Sequence, residues 1–174
     1  TITPAGPFCI LDSALNLSAT DTGGIWSGTG ITNTSNGTFN PATAGAGTFT
    51  ITYGIAGVCG DTATTPITVI EVADATITAT GPFCDNEAAL NLTAVDPGGS
   101  WSGVGITNAS TGAFNPATAG EGTHEIVYTI AGSCGDADTT DITIFETPAV
   151  SIFSTNETCI DLNDGIAWVE ISGG

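Results

Sequence analysis

The chain has no lysine, no arginine and no methionine, against 18 aspartates and glutamates in 174 residues, a net charge of −18. All the charged residues together make up 10% of the chain, so the imbalance comes from missing bases and not from an acidic tract. Without cations nothing can neutralise phosphates, which excludes nucleic acid as a partner. Anionic membrane surfaces are excluded on the same ground. Salt bridges from Lys or Arg are out of reach, so stability must come from sheet pairing, packing and cross-links. Trypsin-like proteases find no cleavage site. Repulsion between like-charged segments favours a soluble, extended array, and divalent cations should screen it. Long apolar runs are missing too, so no segment reads as a signal peptide or a membrane span. Helical periodicity is absent throughout.

What is present is repetition. The stretch Trp26–Asp61 returns as Trp101–Asp136, an offset of 75 residues without a gap, and 46 of the 75 aligned positions are identical. Such a period marks a tandem array. The expected units are residues 1–73 and 74–148, with 149–174 opening a third that is cut short. With no initiator Met and both chain ends inside repeats, the expectation is a piece of a longer secreted protein whose export signal and anchor lie elsewhere.

A unit this small buries proportionally little surface, so cross-links matter. Cys9 and Cys59 lie 50 residues apart, as do Cys84 and Cys134, while Cys159 follows Cys84 by 75. The spacing predicts disulfides Cys9–Cys59 and Cys84–Cys134, with the partner of Cys159 outside the chain, and hence an oxidising compartment. Each closed loop would constrain the unfolded chain by about 4 kcal/mol. Buried free thiols are the alternative, since no Cys-x-x-Cys or Cys/His cluster suggests a metal site.

Within a unit the signals are all β. Thr1–Thr3, Ala14–Ala19, Ile25–Ser27, Thr48–Ile55 and Thr65–Ile70 read as short strands, with a strand or corner at Phe39–Pro41. Trp26 is the expected centre of the core. Phe49, Ile51, Tyr53 and Ile55 alternate with threonines, and Ile67 and Val69 face inward. Six or seven strands joined by Gly-rich turns predict an all-β fold of tandem Ig-like β-sandwiches in a rod-like array.

Chemistry has few carriers. His124, the only histidine, aligns with Phe49 and so reads as a packing position. Ser27 and Ser102 sit in W-S-G rather than in a nucleophile elbow. Asp136, Asp138 and Asp141 cluster after Cys134, and Asp161, Asn163 and Asp164 form a run like a shortened calcium loop. Calcium is a weak candidate cofactor there. Solvated turn aspartates are the favoured reading, because only Asp61 of the first trio survives in the other unit.

The shared motifs W-S-G-x-G-I, G-x-F-N-P-A and A-G-x-G-T-x-x-I-x-Y, present in both units, resemble the Ig-like or PKD-like repeats of very large surface proteins of Bacteroidota, many of them exported by the type IX secretion system. The tail from Cys159 to Gly174 is similar to the opening of the repeat named after the gliding adhesin SprB, with Asn163, Asp164, Gly165 and Gly173–Gly174 in place. The resemblance implies a non-catalytic stalk or spacer of a large adhesin attached at the outer membrane, one used in gliding being an instance. It implies neighbouring repeats as partners. Two alternatives stay open: a subunit of a self-assembling filament that contacts copies of itself, and a module binding surface glycans. Bacteroidota are associated with O-glycosylation at D-(S/T)-(A, I, L, M, T or V), which would make Ser13, Thr62 and Thr139 candidates, chance in a Thr-rich sequence being the alternative. Asn16 and Asn91 carry no such weight.

Overall fold

The structure is a computed structural model that describes residues 1–78, 81–156 and 165–173. Its strands follow the Thr/apolar alternation. In β6 (Gly47–Ile55) Ile51 and Tyr53 are buried while the intervening threonines face outward, as the two-residue period of a pleated strand requires. β7 (Asp61–Ile70) pairs with it antiparallel over its length, from Gly47 opposite Val69 to Ile55 opposite Asp61. β3 (Ile25–Ser27) joins on the β6 side, and β1 (Phe8–Cys9) on the β7 side, giving the order β1-β7-β6-β3. The second sheet has β2 (Leu15–Asn16), β5 (Thr38–Phe39) and β4 (Ile31–Asn33) in the order β2-β5-β4.

Leu17, Trp26, Phe39, Ile51, Tyr53, Ile67 and Val69 form the buried cluster of this unit. At about 1.5–3 kcal/mol for each large apolar side chain taken out of water, this cluster is its main source of stability. Trp26 and Tyr53 pack against each other within it, their rings tilted by 43° with centroids 4.6 Å apart. The sequence expectation of an all-β sandwich around Trp26 is met, as are the inward positions of Ile51, Tyr53, Ile67 and Val69.

Three local features differ from expectation. Thr1–Thr3 contributes only one bridge, Ile2 to Ala19. The corner after Phe39 is a single helical turn, α1 (Pro41–Ala44): the Asn40 side chain accepts from the Ala42 and Thr43 N–H groups, Pro41 occupies the first turn and Gly45 ends it. Those are the ordinary start and stop signals of a helix, compressed to four residues. β1 also runs parallel to the end of β7, Phe8 opposite Val69 and Cys9 opposite Ile70, a non-local pairing that strand patterning does not reveal.

The second repeat builds the same elements: β8 (Phe83–Cys84), β9 (Leu90–Asn91), β10 (Ser100–Gly103), β11 (Ile106–Asn108), β12 (Ala113–Phe114), α2 (Pro116–Ala119), β13 (Gly122–Ile130) and β14 (Asp136–Phe145). Its sheets are β10-β13-β14-β8 and β11-β12-β9. Leu92, Trp101, Phe114, Ile126, Tyr128, Ile142 and Ile144 are buried. β15 (Ala149–Thr155) and β16 (Ile166–Ser172) form a separate antiparallel pair exposed along its whole length.

Compact units do not coincide with sequence repeats. One comprises Thr1–Asp74 together with Ile130–Asp136, the other Ala75–Thr129 with Ala137–Gly174. The tip of the β13–β14 hairpin thus belongs to the first unit although the second repeat encodes it.

Candidate functional site

That hairpin tip carries the cross-link. Cys9 is bonded to Cys134, their Cα atoms 5.2 Å apart, across 125 residues of sequence. Both are buried, at 2% and 7% exposure. Around them the Cys9 N–H donates to Asp12 Oδ2 at 2.7 Å, the Ile10 N–H to the Ile70 carbonyl at 2.9 Å, and the Ala73 N–H to the Cys134 carbonyl at 2.9 Å. Cys59 and Cys84 are free, Cys59 exposed and Cys84 half-buried.

The expected pairs Cys9–Cys59 and Cys84–Cys134 are therefore corrected. Cys9 lies opposite Ile70 at the end of β7, whereas Cys59 precedes Asp61 at its start. A ten-residue strand spans about 30 Å, far beyond the roughly 7 Å between Cα atoms that a disulfide can bridge. Cys84 and Cys134 sit at opposite ends of β14 in the same way, Cys84 opposite Phe145. Equal spacing of the cysteines does not tell which of them meet; the parallel placement of β1 decides which tip comes within reach. Cys159 lies outside the described residues.

The aspartates after Cys134 do not converge. Asp136 and Asp138 share one face of β14 and Asp141 lies on the other. Asp138 Oδ2 accepts from the Ile77 N–H at 2.8 Å. Among the described residues no three His, Cys, Asp or Glu side chains gather where a cation could sit. Asp161, Asn163 and Asp164 lie outside them. His124 is half-buried and its Nε2 is 2.8 Å from the Gly120 carbonyl, which the Nε2–H tautomer satisfies. Ser27 and Ser102 are exposed strand residues. Ser13, Thr62 and Thr139 are all exposed, Thr62 on β7 and Thr139 on β14.

Each unit also has a shallow depression at its Trp/Tyr end. In the first it holds about 450 Å³ and is lined by Leu17, Asp21, Gly24, Trp26, Ser35 and Tyr53 among others. Its counterpart by Asp96, Trp101 and Tyr128 holds about 220 Å³. Stacking a sugar needs an open ring face, but Trp26 and Tyr53 are 4% and 6% exposed. The tyrosine hydroxyl is engaged as well, donating to the Asp21 carbonyl and accepting from the Gly24 N–H. Open rings lie elsewhere: Phe153 and Trp168, 41% and 47% exposed, stack across β15 and β16 at 5.4 Å. Sequence reading missed this pair because it singled out only the tail's Asn-Asp-Gly and Gly-Gly motifs.

The Asp85 carboxyl is held below its ordinary range. The Thr147 hydroxyl and then the Thr147 N–H donate to it and favour the charged form. The pair has no counterpart in the first repeat, which has Ile10 and Val72 there.

No known protein family matches the chain, and no curated protein does. Among solved structures, it overlays on extracellular repeats 22–24 of mouse cadherin-23 with a TM-score of 0.35 and 14% identity, over 79% of this chain and 60% of that one. A second overlay is on extracellular cadherin domains 1–4 of protocadherin gamma B7, with a TM-score of 0.29 and 13% identity, over 95% and 56%. The chain thus spans less than two thirds of either, and at these scores the overlays carry no argument about function.

Proposed function

We propose that this chain is a non-catalytic spacer, a run of Ig-like β-sandwich repeats forming part of the stalk of a large extracellular or cell-surface bacterial adhesin. The observation that carries the reading is the Cys9–Cys134 bond. It ties successive sequence repeats covalently and closes a turn of the second repeat into the first unit, a device suited to bearing load. The repeated cores support the same reading, because Trp26, Phe39 and Tyr53 and their counterparts Trp101, Phe114 and Tyr128 are spent on packing and the lone histidine on a backbone carbonyl. Negative charge without a single Lys or Arg suits a soluble, extended segment that offers trypsin-like proteases no cleavage site. The motifs shared with Bacteroidota surface repeats extend the proposal to an outer-membrane-attached adhesin exported by type IX secretion, with gliding as one use.

A second reading, direct glycan binding, draws on the exposed Phe153–Trp168 pair, since stacked open rings are what sugar faces meet. Binding of the labelled 174-residue chain to an array of surface polysaccharides and glycans distinguishes the two. The spacer reading expects no saturable signal. Saturable binding that Trp168→Ala abolishes would replace it with the glycan-binding one.

A further inference from the structure

The Cys9–Cys134 bond seats the tip of the β13–β14 hairpin in a socket built by the repeat before it. That socket consists of Cys9 on β1, Ile70 opposite it on β7, and the connection just after, where the Ala73 N–H donates to the Cys134 carbonyl. The second repeat builds the socket again around Cys84, and the first repeat carries the tip again at Cys59. We infer that the Cys84 socket takes the Gly-x-Cys-Gly-Asp hairpin tip of a repeat that follows it in the same chain, and that the Cys59 tip enters the socket of a repeat that precedes it. Cross-links in such an array form a staggered ladder, each running from an opening cysteine to a tip 125 residues on.

The two sockets match in detail. Cys84 lies opposite Phe145 on the parallel β8–β14 pair, as Cys9 lies opposite Ile70. Its N–H donates to an acid three residues on, Glu87 at 2.9 Å, as that of Cys9 does to Asp12 at 2.7 Å. The next N–H, of Asp85, donates to the Phe145 carbonyl at 2.9 Å, as that of Ile10 does to Ile70. The tips match as well: Gly57 to Asp61 and Gly132 to Asp136 are identical but for Val58 in place of Ser133. In both, the N–H of the glycine after the cysteine donates to the glycine three residues back, at 3.0 and 3.1 Å. A Cβ on Gly60 or Gly135 would run into the carbonyl of Ile55 or Ile130, so only glycine fits there. Neither half closes within its own repeat, because opening strand and tip lie at opposite ends of β7 or β14. Seating is what covers a tip: Cys134 is 7% exposed in its socket, whereas Cys59 is exposed.

The sockets differ in two places. Pro148 stands where Ala73 has its N–H, so a tip carbonyl at Cys84 loses that donor. Asp85 and Thr147, hydrogen-bonded to each other, replace Ile10 and Val72. Closure at Cys84 needs an oxidant, a small-molecule disulfide such as glutathione disulfide. The Cys84 thiolate attacks one of its sulfurs and releases one glutathione thiolate. The tip thiolate then attacks the Cys84 sulfur and expels the other. One protein disulfide forms as one glutathione disulfide is reduced to two thiols.

The test lengthens the full chain by a second copy of residues 74–148, inserted after residue 148. In one version Cys84→Ser is made in the added copy, and in the other it is made in the original copy. Both are equilibrated in a glutathione redox buffer, alkylated, and mapped by mass spectrometry. The first version should show the bonds Cys9–Cys134 and Cys84–Cys134, the latter to the added tip. It should carry one alkylatable thiol fewer than the 174-residue chain, although the insertion adds a cysteine. The second version should keep Cys9–Cys134 and show no bond between positions 84 and 134, because the added repeat then holds an opening cysteine and a tip that lie apart. An alkylatable Cys84 or a Cys84–Cys159 bond in the first version would overturn the inference. So would a bond between positions 84 and 134 in the second, or loss of Cys9–Cys134 in either. The inference rests on the joint and not on the spacer proposal, so saturable glycan binding would leave it standing.

Discussion

Single residues fix the Trp/Tyr end of each unit. A Cβ on Gly24 would lie 2.4 Å from the Tyr53 ring, and that ring is held at both sides of its hydroxyl. Gly24→Ala should therefore cost about 1–3 kcal/mol, the usual penalty of overpacking a filled site, read as a lowered midpoint in urea with unchanged slope. Asp85 offers a pH test. Its folded pKa is depressed below the ordinary 3.8, first by the Thr147 hydroxyl. A carboxyl depressed on folding adds stability that is present above its unfolded value and lost as pH falls through the lower folded one. Asp85→Asn should thus melt lower than wild type near neutrality, and the gap should close in acid. A gap independent of pH would remove the charge from the explanation. The role of Gly24 was hidden in the sequence because a Gly-Gly turn looks alike whether or not a ring lies over it. The swap of Phe49 for His124, by contrast, did mark a packing position in advance.

Elements were legible where they are long. Alternation located β6 and β7 and their inward faces, because nine or ten residues give the two-residue period room to show. The two-residue strands were not, since their identity comes from partners far along the chain, and the single-turn helix is too short for a helical period to show. The cysteine joint failed for the same reason: spacing repeats faithfully, but β1 lies against the far end of β7, and only that pairing tells which cysteine is near. The joint closes a loop of 125 residues, so its removal should release about 5 kcal/mol of chain-entropy stabilisation. Thermal melts of Cys9→Ser and Cys134→Ser should fall together, while Cys59→Ser should melt like wild type. If Cys59→Ser alone melts lower, the cross-link is not the one described here.

For the whole chain the joint sets how much length can be drawn out under tension. Pulled from its two ends with the bond intact, the residues between Cys9 and Cys134 cannot extend. Reduction should add about 400 Å of contour length at roughly 3.5 Å per residue, measurable by single-molecule stretching with and without a reductant. Equal lengths in the two states would show that the bond does not form in solution. The placement of Ile130–Asp136 in the first unit has a further consequence, for biogenesis. A chain made from its N-terminus completes the last strand of its first repeat well before Cys134 emerges, so that unit stays unfinished until most of the following repeat has been synthesised. Construction of such an array runs out of phase with its sequence period, and each newly made repeat supplies the closing piece of the one before it.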